Sequence, residues 1–172
     1  MIRDFERDII PMAVHYGMAL APWDVLGGGK FQSKKALEER KKNNEGLRSM
    51  MGSGDQSEQE VKISEALLKV AQEHGIESVT AVALAYVMAK TPHVFPIIGG
   101  RKVEHLHDNI QALKIKLTDK QIEYLEEQSP FEPGFPQNFV GPDPRSGQKS
   151  GFILEGAGAQ AYVKAPKAIG HE

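Results

Sequence analysis

The sequence predicts an α/β protein that forms part of a larger fold. Two short apolar runs, residues 18–22 and 93–99, favour buried strands, because a strand covered on both faces is apolar throughout. Long helical segments separate these runs, and strands joined by such crossovers pair in parallel. Two parallel strands alone cannot form a sheet with both faces covered. The long helices and few strands therefore indicate an incomplete architecture.

The first elements are expected in the order helix, strand, glycine loop and helix. Residues 4–16 predict an amphipathic helix that Gly17 closes. Pro11 is expected to kink or split this helix, because proline lacks a backbone N–H. The strand leads into a glycine-rich loop, and the highly charged residues 34–42 favour a solvated helix. Residues 43–56 predict a loop, since Gly, Ser and Asn dominate them.

Two capping boxes mark helix starts in the second half of the chain. Ser57 with Glu60 starts one helix, which Gly75 ends. Thr118 with Gln121 starts another, which runs to about residue 128. In each pair, the two side chains satisfy backbone N–H groups that a helix start leaves unpaired.

Two further helices are expected between these starts, and an irregular segment follows them. Residues 79–90 predict an apolar helix that Thr91-Pro92 stops, and another helix runs from residue 102 or 103 to 112. The structured portion is therefore expected over residues 1–128. Residues 129–172 predict an irregular tail, because Pro and Gly recur there and periodicity fades. The tail has weak helix potential over residues 157–164.

Composition excludes several classes of protein. The chain has 172 residues, 40% of them hydrophobic and 26% charged, which is typical of a globular protein. Its formal net charge of −2 provides no basic field for nucleic acid or an anionic membrane. It has no Cys and no H-E-x-x-H motif, so no metal site is expected. The charged start lacks the apolar region of a signal peptide, which predicts a cytoplasmic protein.

Two glycine-rich loops are the candidates for ligand binding. Each follows a strand, and ligands of α/β folds bind at the carboxyl ends of strands. Glycine lets backbone amides approach a phosphate, and Arg101 and Lys102 stand where the next helix begins, which favours an anion. The alternative is a tight turn with ordinary surface cations. "LGGGK" fits neither the P-loop nor the usual dinucleotide fingerprint.

Aromatic and imidazole side chains leave further alternatives open. Trp23, the only Trp, ends the first strand and either packs in the core or offers a face for stacking on an aromatic ring. His105 and His107 lie two apart on a predicted helix, so they do not share a face. His15 and His74 both precede a glycine at a helix end, where a structural role is favoured.

The stretches "DFERDIIPMAVHYGMALAPWDVLGGGKFQ" and "VFPIIGGRKVEHLHDNIQALKIKLTDKQIEYLE" together resemble the C-terminal part of an aldo-keto reductase. The likeness runs from about residue 3 to about residue 144 and is strongest to the fungal aryl-alcohol dehydrogenase and norsolorinic acid reductase branch, which implies fungal secondary metabolism. The family fold is a (β/α)8 TIM barrel of roughly 250 residues. The resemblance therefore implies an incomplete barrel containing strands 7 and 8 with their helices.

The same resemblance implies an NADP(H) site. Trp23 corresponds to the aromatic residue that stacks on the nicotinamide, and the loop after it covers the pyrophosphate. The second loop faces the adenosine 2′-phosphate and ribose, and the following helix reaches the adenine. The implied cofactor-binding residues are Trp23, Asp24, Leu26, Gly27, Gly28, Gly99, Gly100, Arg101, Lys102, His105, Asp108 and Asn109.

This set departs from the family pattern at three positions. Asp24 replaces a more usual Ser, His105 replaces Gln or Arg, and Asp108 replaces Glu. The paired cations Arg101 and Lys102 nevertheless favour NADP over NAD, since the extra phosphate carries extra charge.

The family's catalytic Asp, Tyr, Lys and His lie on earlier barrel strands than those found here. None of Tyr16, Tyr86, Tyr124 and Tyr162 sits in the family's Tyr motif. The resemblance therefore implies an NADP-dependent reductase of aryl or other carbonyl compounds whose fragment here is inactive alone. The alternatives are a non-catalytic module that binds NADP(H) or another reductase chain, and a truncated, inactive gene product.

Overall fold

The computed structural model describes residues 2–43, 56–146, 151–158, 161–168 and 170–171, and eight α-helices organise this part of the chain. The helices are α1 (Ile9–Tyr16), α2 (Lys34–Lys42), α3 (Glu58–Glu73), α4 (Val79–Ala89), α5 (Val103–Ile110), α6 (Asp119–Glu127), α7 (Gln137–Val140) and α8 (Phe152–Ala157). No described helix is long and apolar enough to cross a membrane.

The predicted first helix is split, but not at its proline. A 3-10 turn over Asp4–Glu6 precedes α1, and Pro11 is the third residue of α1. Pro11 causes no kink there, because the first N–H groups of a helix have no intrahelical acceptor. Gly17 ends α1 as predicted, with φ of 63° and its N–H donating 3.3 Å to the Val14 carbonyl.

The two predicted strands are reduced to a single parallel bridge between Leu20 and Val94. Three backbone hydrogen bonds join the segments: Leu20 N–H to His93 O at 2.9 Å, Phe95 N–H to Leu20 O at 2.8 Å, and Ile97 N–H to Pro22 O at 2.9 Å. Pro22 has no N–H with which to complete a second bridge. The described residues therefore contain no regular strand, which corrects the prediction of two strands, although the pairing is parallel as expected.

Both predicted capping boxes are present. Ser57 Oγ accepts from Glu60 N–H at 3.2 Å while Ser57 N–H donates to the Glu60 carboxylate at 2.7 Å. Thr118 and Gln121 make the equivalent bonds at the start of α6. Gly75 ends the Glu58–Glu73 helix in a left-handed conformation with φ of 70°. These caps confirm the predicted helix boundaries. The sequence could predict them because a cap involves only residues that are close together in the chain.

The apolar core lies where α3 packs against α4 and α6. Val70 of α3 and Val82 of α4 are its largest fully buried side chains. Residues 79–86 of α4 are buried without interruption, and a helix that is apolar on all sides is expected to be enclosed in this way. The core is therefore formed by helices, and the two extended segments lie beside it.

The C-terminal segment departs from its prediction. Helices α7 and α8 form here, and their Phe139 and Phe152 rings meet edge to face at 5.7 Å. The weak helix expected over residues 157–164 is wrong: α8 ends at Ala157 and residues 161–168 have no regular structure. Residues 159–160 and most of the predicted 43–56 loop, residues 44–55, lie outside the described residues.

A cluster of two cations and two carboxylates joins the N-terminal segment to α4 and α6. Arg3 holds the Glu6 carboxylate at 2.7 and 2.8 Å and Glu126 at 3.0 Å. Lys90 contacts Glu6 at 3.1 Å and also pairs with Glu126. All four side chains are at most 24% exposed, so little solvent screens them.

The same contacts shift the proton affinities of the cluster. Burial by itself raises the pKa of Glu6, but the hydrogen bond from Arg3 and the charge of Lys90 outweigh burial, so the pKa lies below its usual value. Burial tends to lower the pKa of Arg3, yet Glu6 and Glu126 leave it raised overall. Both shifts favour the charged forms of Glu6 and Arg3.

Glu6→Gln is expected to lower the free energy of unfolding by about 1–3 kcal/mol at pH 7, because it leaves Arg3 and Lys90 with one carboxylate between them. Since the folded pKa of Glu6 is depressed, its contribution exists above the unfolded pKa and disappears as pH falls below about 4. Urea unfolding followed by circular dichroism at pH 7 and at acid pH measures both effects.

Glu123→Gln is the matched control, because Glu123 lies exposed on the same helix as Glu126 and makes no ion pair among the described residues. Equal destabilisation by Glu6→Gln and Glu123→Gln, or a difference between them that does not shrink as pH falls from 7 into the acid range, would contradict this role of the cluster.

Candidate functional site

One cleft of about 920 Å³ lies beside the ends of the two extended segments. This volume falls in the range of roughly 300–1,000 Å³ that is typical of small-molecule and cofactor sites. The parallel bridge between Leu20 and Val94 makes both segments run in the same direction, so both glycine loops leave them toward the cleft. Every predicted site residue except Lys102 lines its wall. Lys102 stands outside the wall, as the N-cap of α5.

The first glycine loop is closed on itself. The N–H groups of Gly27 and Gly29 donate to the backbone carbonyls of Asp24 and Leu26, each at 3.0 Å. The N–H of Gly28 donates to the Asp24 side chain at 2.6 Å. All three glycines have positive φ, so this turn needs them for its conformation. The expectation that these amides are held ready for a phosphate therefore does not describe the loop as it stands.

The second glycine loop is open by comparison. In the described part of the chain, the N–H groups of Gly99 and Gly100 have no acceptor. Gly100 is needed for packing, since a Cβ there would lie 2.7 Å from Cβ of His105. A Cβ on Gly99 would meet no described atom within 4 Å. Two amides without an acceptor among the described residues thus precede α5, with open space beside Gly99, which is an arrangement that accepts an anion.

His105 and Arg101 complete this end of the cleft. The N–H of Arg101 donates to Nδ1 of His105 at 3.3 Å. The Arg101 side chain is exposed and makes no ion pair within the described ranges. Asp108, one turn along α5, accepts from Gln111 at 3.1 Å. A guanidinium that has no carboxylate partner among the described residues therefore lies beside the amides of Gly99 and Gly100.

Sequence reasoning missed several polar residues of the cleft wall. Lys30 follows the third glycine and pairs with Glu60 at 3.3 Å. Arg40 of α2 donates to the Gly29 carbonyl at 3.4 Å. A Lys directly after three glycines was a local signal for the former, whereas Arg40 belongs to a charged run that is typical of a solvated helix. Only the folding of α2 against the loop brings Arg40 to the cleft.

Glu60 links the cleft wall to a helix start. The backbone N–H of Ser57 is the main cause of the lowered pKa of Glu60; burial opposes it, and the Ser57 side chain and Lys30 lower the pKa further. Gln32 donates to Thr80 at 3.1 Å and fixes the loop against α4. These contacts join the floor of the cleft to α3 and α4 of the helical core.

Trp23 stands between the cleft and a second, largely apolar cavity of about 630 Å³. Its side chain is 67% exposed, so the interpretation of Trp23 as a core residue is wrong. The exposed ring offers a flat face to a planar ligand, so the alternative interpretation, stacking on an aromatic ring, stays a prediction.

Tyr86 is a buried tyrosine whose hydroxyl lies among charged side chains. It is 5% exposed, and its hydroxyl contacts Glu126 at 3.4 Å. Burial, together with the charges of Glu126 and Glu6, raises the pKa of Tyr86. A tyrosine that holds its proton this tightly is a poor general acid near neutral pH. The described residues also contain no group of three or more His, Asp or Glu side chains placed to hold a metal ion.

Comparison with known proteins identifies the family. Residues 1–129 match the model of the aldo/keto reductase family, and the chain therefore belongs to that family. It is 67% identical over 153 residues to "Putative aryl-alcohol dehydrogenase AAD10" of Saccharomyces cerevisiae, covering 89% of this chain and 53% of the relative. The chain thus spans about half the length of this relative.

A shorter relative and a solved structure extend this comparison. YFL057C of Saccharomyces cerevisiae, also named as an aryl-alcohol dehydrogenase, is 63% identical over 142 residues, which is 83% of this chain and 93% of the relative. The crystal structure of the thermostable aldo-keto reductase Tm1743, in complex with the inhibitor epalrestat, matches with a TM-score of 0.50 and 26% identity. That match covers 74% of this chain and 36% of the other.

The two glycines of the second loop are expected to differ in their tolerance of a methyl group. Gly100→Ala should lower the free energy of unfolding by about 1–3 kcal/mol, because the new Cβ forces His105 and the start of α5 to move. Gly99→Ala should change it by less than about 0.5 kcal/mol, because its Cβ enters open space. Urea denaturation of both variants measures the difference, and equal losses would contradict the geometry of this loop.

Proposed function

We propose that this chain forms the cofactor-binding portion of an NADP(H)-dependent aldo-keto reductase, containing strands 7 and 8 of an incomplete (β/α)8 barrel. The observation that carries the proposal is the single cleft lined by Trp23 and both glycine loops. The bridge between Leu20 and Val94 would be the contact of the two barrel strands. Family membership supports a nicotinamide cofactor, since aldo-keto reductases use NAD(P)H.

The proposed cofactor lies along the cleft from Trp23 to α5. Trp23 would stack on the nicotinamide ring, and Asp24, Leu26, Gly27 and Gly28 would form the loop over the pyrophosphate. Gly99 and Gly100 offer unpaired amides to the phosphate of the adenosine ribose. His105, Asp108 and Asn109 line the cleft farther along α5, where the adenine would lie.

Arg101 is the residue proposed to distinguish NADP from NAD. Its guanidinium makes no ion pair in the part of the chain described, so a 2′-phosphate would meet no competing carboxylate on it. Lys102, at the N-cap of α5, would add positive charge from outside the cleft wall. Lys30 and Arg40 border the first loop, where the pyrophosphate would lie.

The bound cofactor would supply a hydride for interconverting aryl or other aldehydes and ketones with their alcohols. The chain's own residues would bind and orient the cofactor, while the Asp, Tyr, Lys and His of the family are not assigned to any residue here. We therefore propose a fragment that does not turn over substrate alone, working in the cytoplasm and in fungal secondary metabolism. A truncated, inactive gene product remains the alternative for the chain as a whole.

The second candidate function is a module that binds NADP(H) or another reductase chain without catalysis. The observation that favours it is the apolar side chains exposed along the second extended segment, Phe95, Ile97 and Ile98. A bridge of only three hydrogen bonds also leaves the outer edges of both extended segments unpaired in the described structure. Size-exclusion chromatography with and without NADPH measures such an association.

Arg101→Gln is expected to weaken NADP⁺ binding about tenfold or more, because a charge-assisted contact to the 2′-phosphate is lost. Binding of NAD⁺ should change by less than about twofold, since it lacks that phosphate. Titration followed by Trp23 fluorescence and by calorimetry measures both affinities. Lys120→Gln, which removes an exposed cation on α6 outside the cleft, is the control. Equal losses for both nucleotides would refute the assignment of Arg101.

The purified 172-residue chain is expected to show no NADPH oxidation with an aryl aldehyde such as veratraldehyde, because no acid for the carbonyl oxygen is assigned to it. The loss of absorbance at 340 nm measures this reaction, with NADPH binding checked on the same sample. Turnover above the protein-free rate would overturn the proposal of an inactive fragment.

A further inference from the structure

The Asp24 carboxylate holds the backbone N–H of Gly28 at 2.6 Å, at the edge of the cleft. We propose that this carboxylate competes with anions for the Gly28 amide and thereby lowers the affinity of the first glycine loop for a phosphate group. The inference deepens the proposed function, because the anion in question would be the pyrophosphate of a dinucleotide. It concerns the residue at which the chain departs from the Ser that is more usual in the family.

Of the three glycine amides in the loop, that of Gly28 can be freed for a ligand by a movement of one side chain. The N–H groups of Gly27 and Gly29 donate to backbone carbonyls, so freeing either would require the turn itself to open. The N–H of Gly28 donates to a side-chain oxygen, which a rotation about the Asp24 side chain removes. The amide can therefore be exchanged between the carboxylate and a ligand while the turn stays intact.

Asp24 has room to make this exchange. It lines both the cleft and the neighbouring apolar cavity, so its side chain stands at the border of two open spaces. Its φ of 58° is unusual for a residue other than glycine, and the hydrogen bond to Gly28 helps to hold it there.

The charge of Asp24 is not ion-paired in the described part of the chain, where Arg40, the cation that α2 brings to this loop, contacts the Gly29 carbonyl instead. No ion pair of Asp24 exists among the described residues, and the nearest loop cation in sequence, Lys30, is paired with Glu60. A phosphate at the Gly28 amide would therefore meet an uncompensated negative charge as well as an occupied donor. Both effects weaken binding, and replacing the carboxylate by a neutral amide removes the charge while leaving an acceptor for the Gly28 amide.

Two variants separate the charge from the hydrogen bond. Asp24→Asn keeps an oxygen that can accept from Gly28 but removes the charge, whereas Asp24→Glu keeps the charge on a longer side chain. The probe is inorganic pyrophosphate at constant ionic strength, followed through the amide NMR signals of Gly28 and its loop neighbours. Glu123→Gln on α6, outside both cavities, controls for the change in net charge.

Asp24→Asn is expected to bind pyrophosphate about three- to tenfold more tightly than the unchanged chain, and Glu123→Gln to change affinity by less than about twofold. Asp24→Glu should stay at or below the affinity of the unchanged chain. If Asp24 has only a structural role, Asp24→Asn should bind pyrophosphate no more tightly than the unchanged chain. That result, or the absence of pyrophosphate binding in both proteins, overturns the inference.

A parallel titration with NADP⁺ separates this inference from the proposed function. If Asp24→Asn binds pyrophosphate more tightly while neither protein binds NADP⁺, the cofactor proposal fails and the role of Asp24 stands. If NADP⁺ binds to both but pyrophosphate affinity is equal, the role of Asp24 fails and the cofactor proposal stands.

Discussion

The parallel contact between Leu20 and Val94 is the constraint on which the rest of the site depends. Its three backbone hydrogen bonds join segments that are more than seventy residues apart in sequence. Because the segments run in the same direction, the loops that follow them reach the same side of the molecule. Without this contact, Trp23 and the first glycine loop would not face Arg101 and His105 across one cleft.

The contact is short, so other interactions must hold the segments in place. Pro22 limits the bridge because it has no N–H, and the helical core of α3, α4 and α6 provides most of the buried apolar surface. The cluster of Arg3, Glu6, Lys90 and Glu126 fastens the N-terminal segment to α4 and α6. The extended segments themselves stay largely exposed beside this core, and their three hydrogen bonds are the contact that joins them to each other.

The two glycine loops have different physical characters although their sequences look alike. In the first loop, the glycines adopt positive φ angles, and their amides donate to backbone carbonyls of the turn and to the Asp24 side chain. The second leaves the amides of Gly99 and Gly100 without protein acceptors among the described residues, next to an unpaired guanidinium. The second loop is therefore the better prepared of the two for an anion, while the first must exchange a bond before it can accept one.

The sequence by itself determined the capped starts of two helices and the glycine ends of two. Ser57 with Glu60 and Thr118 with Gln121 were readable because capping is local, and Gly17 and Gly75 ended their helices for the same reason. The extent of the strands, the helices of the C-terminal segment and the exposure of Trp23 depended on which distant groups were available for pairing and burial. Only the tertiary structure decided that Arg40 reaches the cleft and that Asp24 occupies the Gly28 amide, because both contacts require α2 or the turn to be folded before the partners meet.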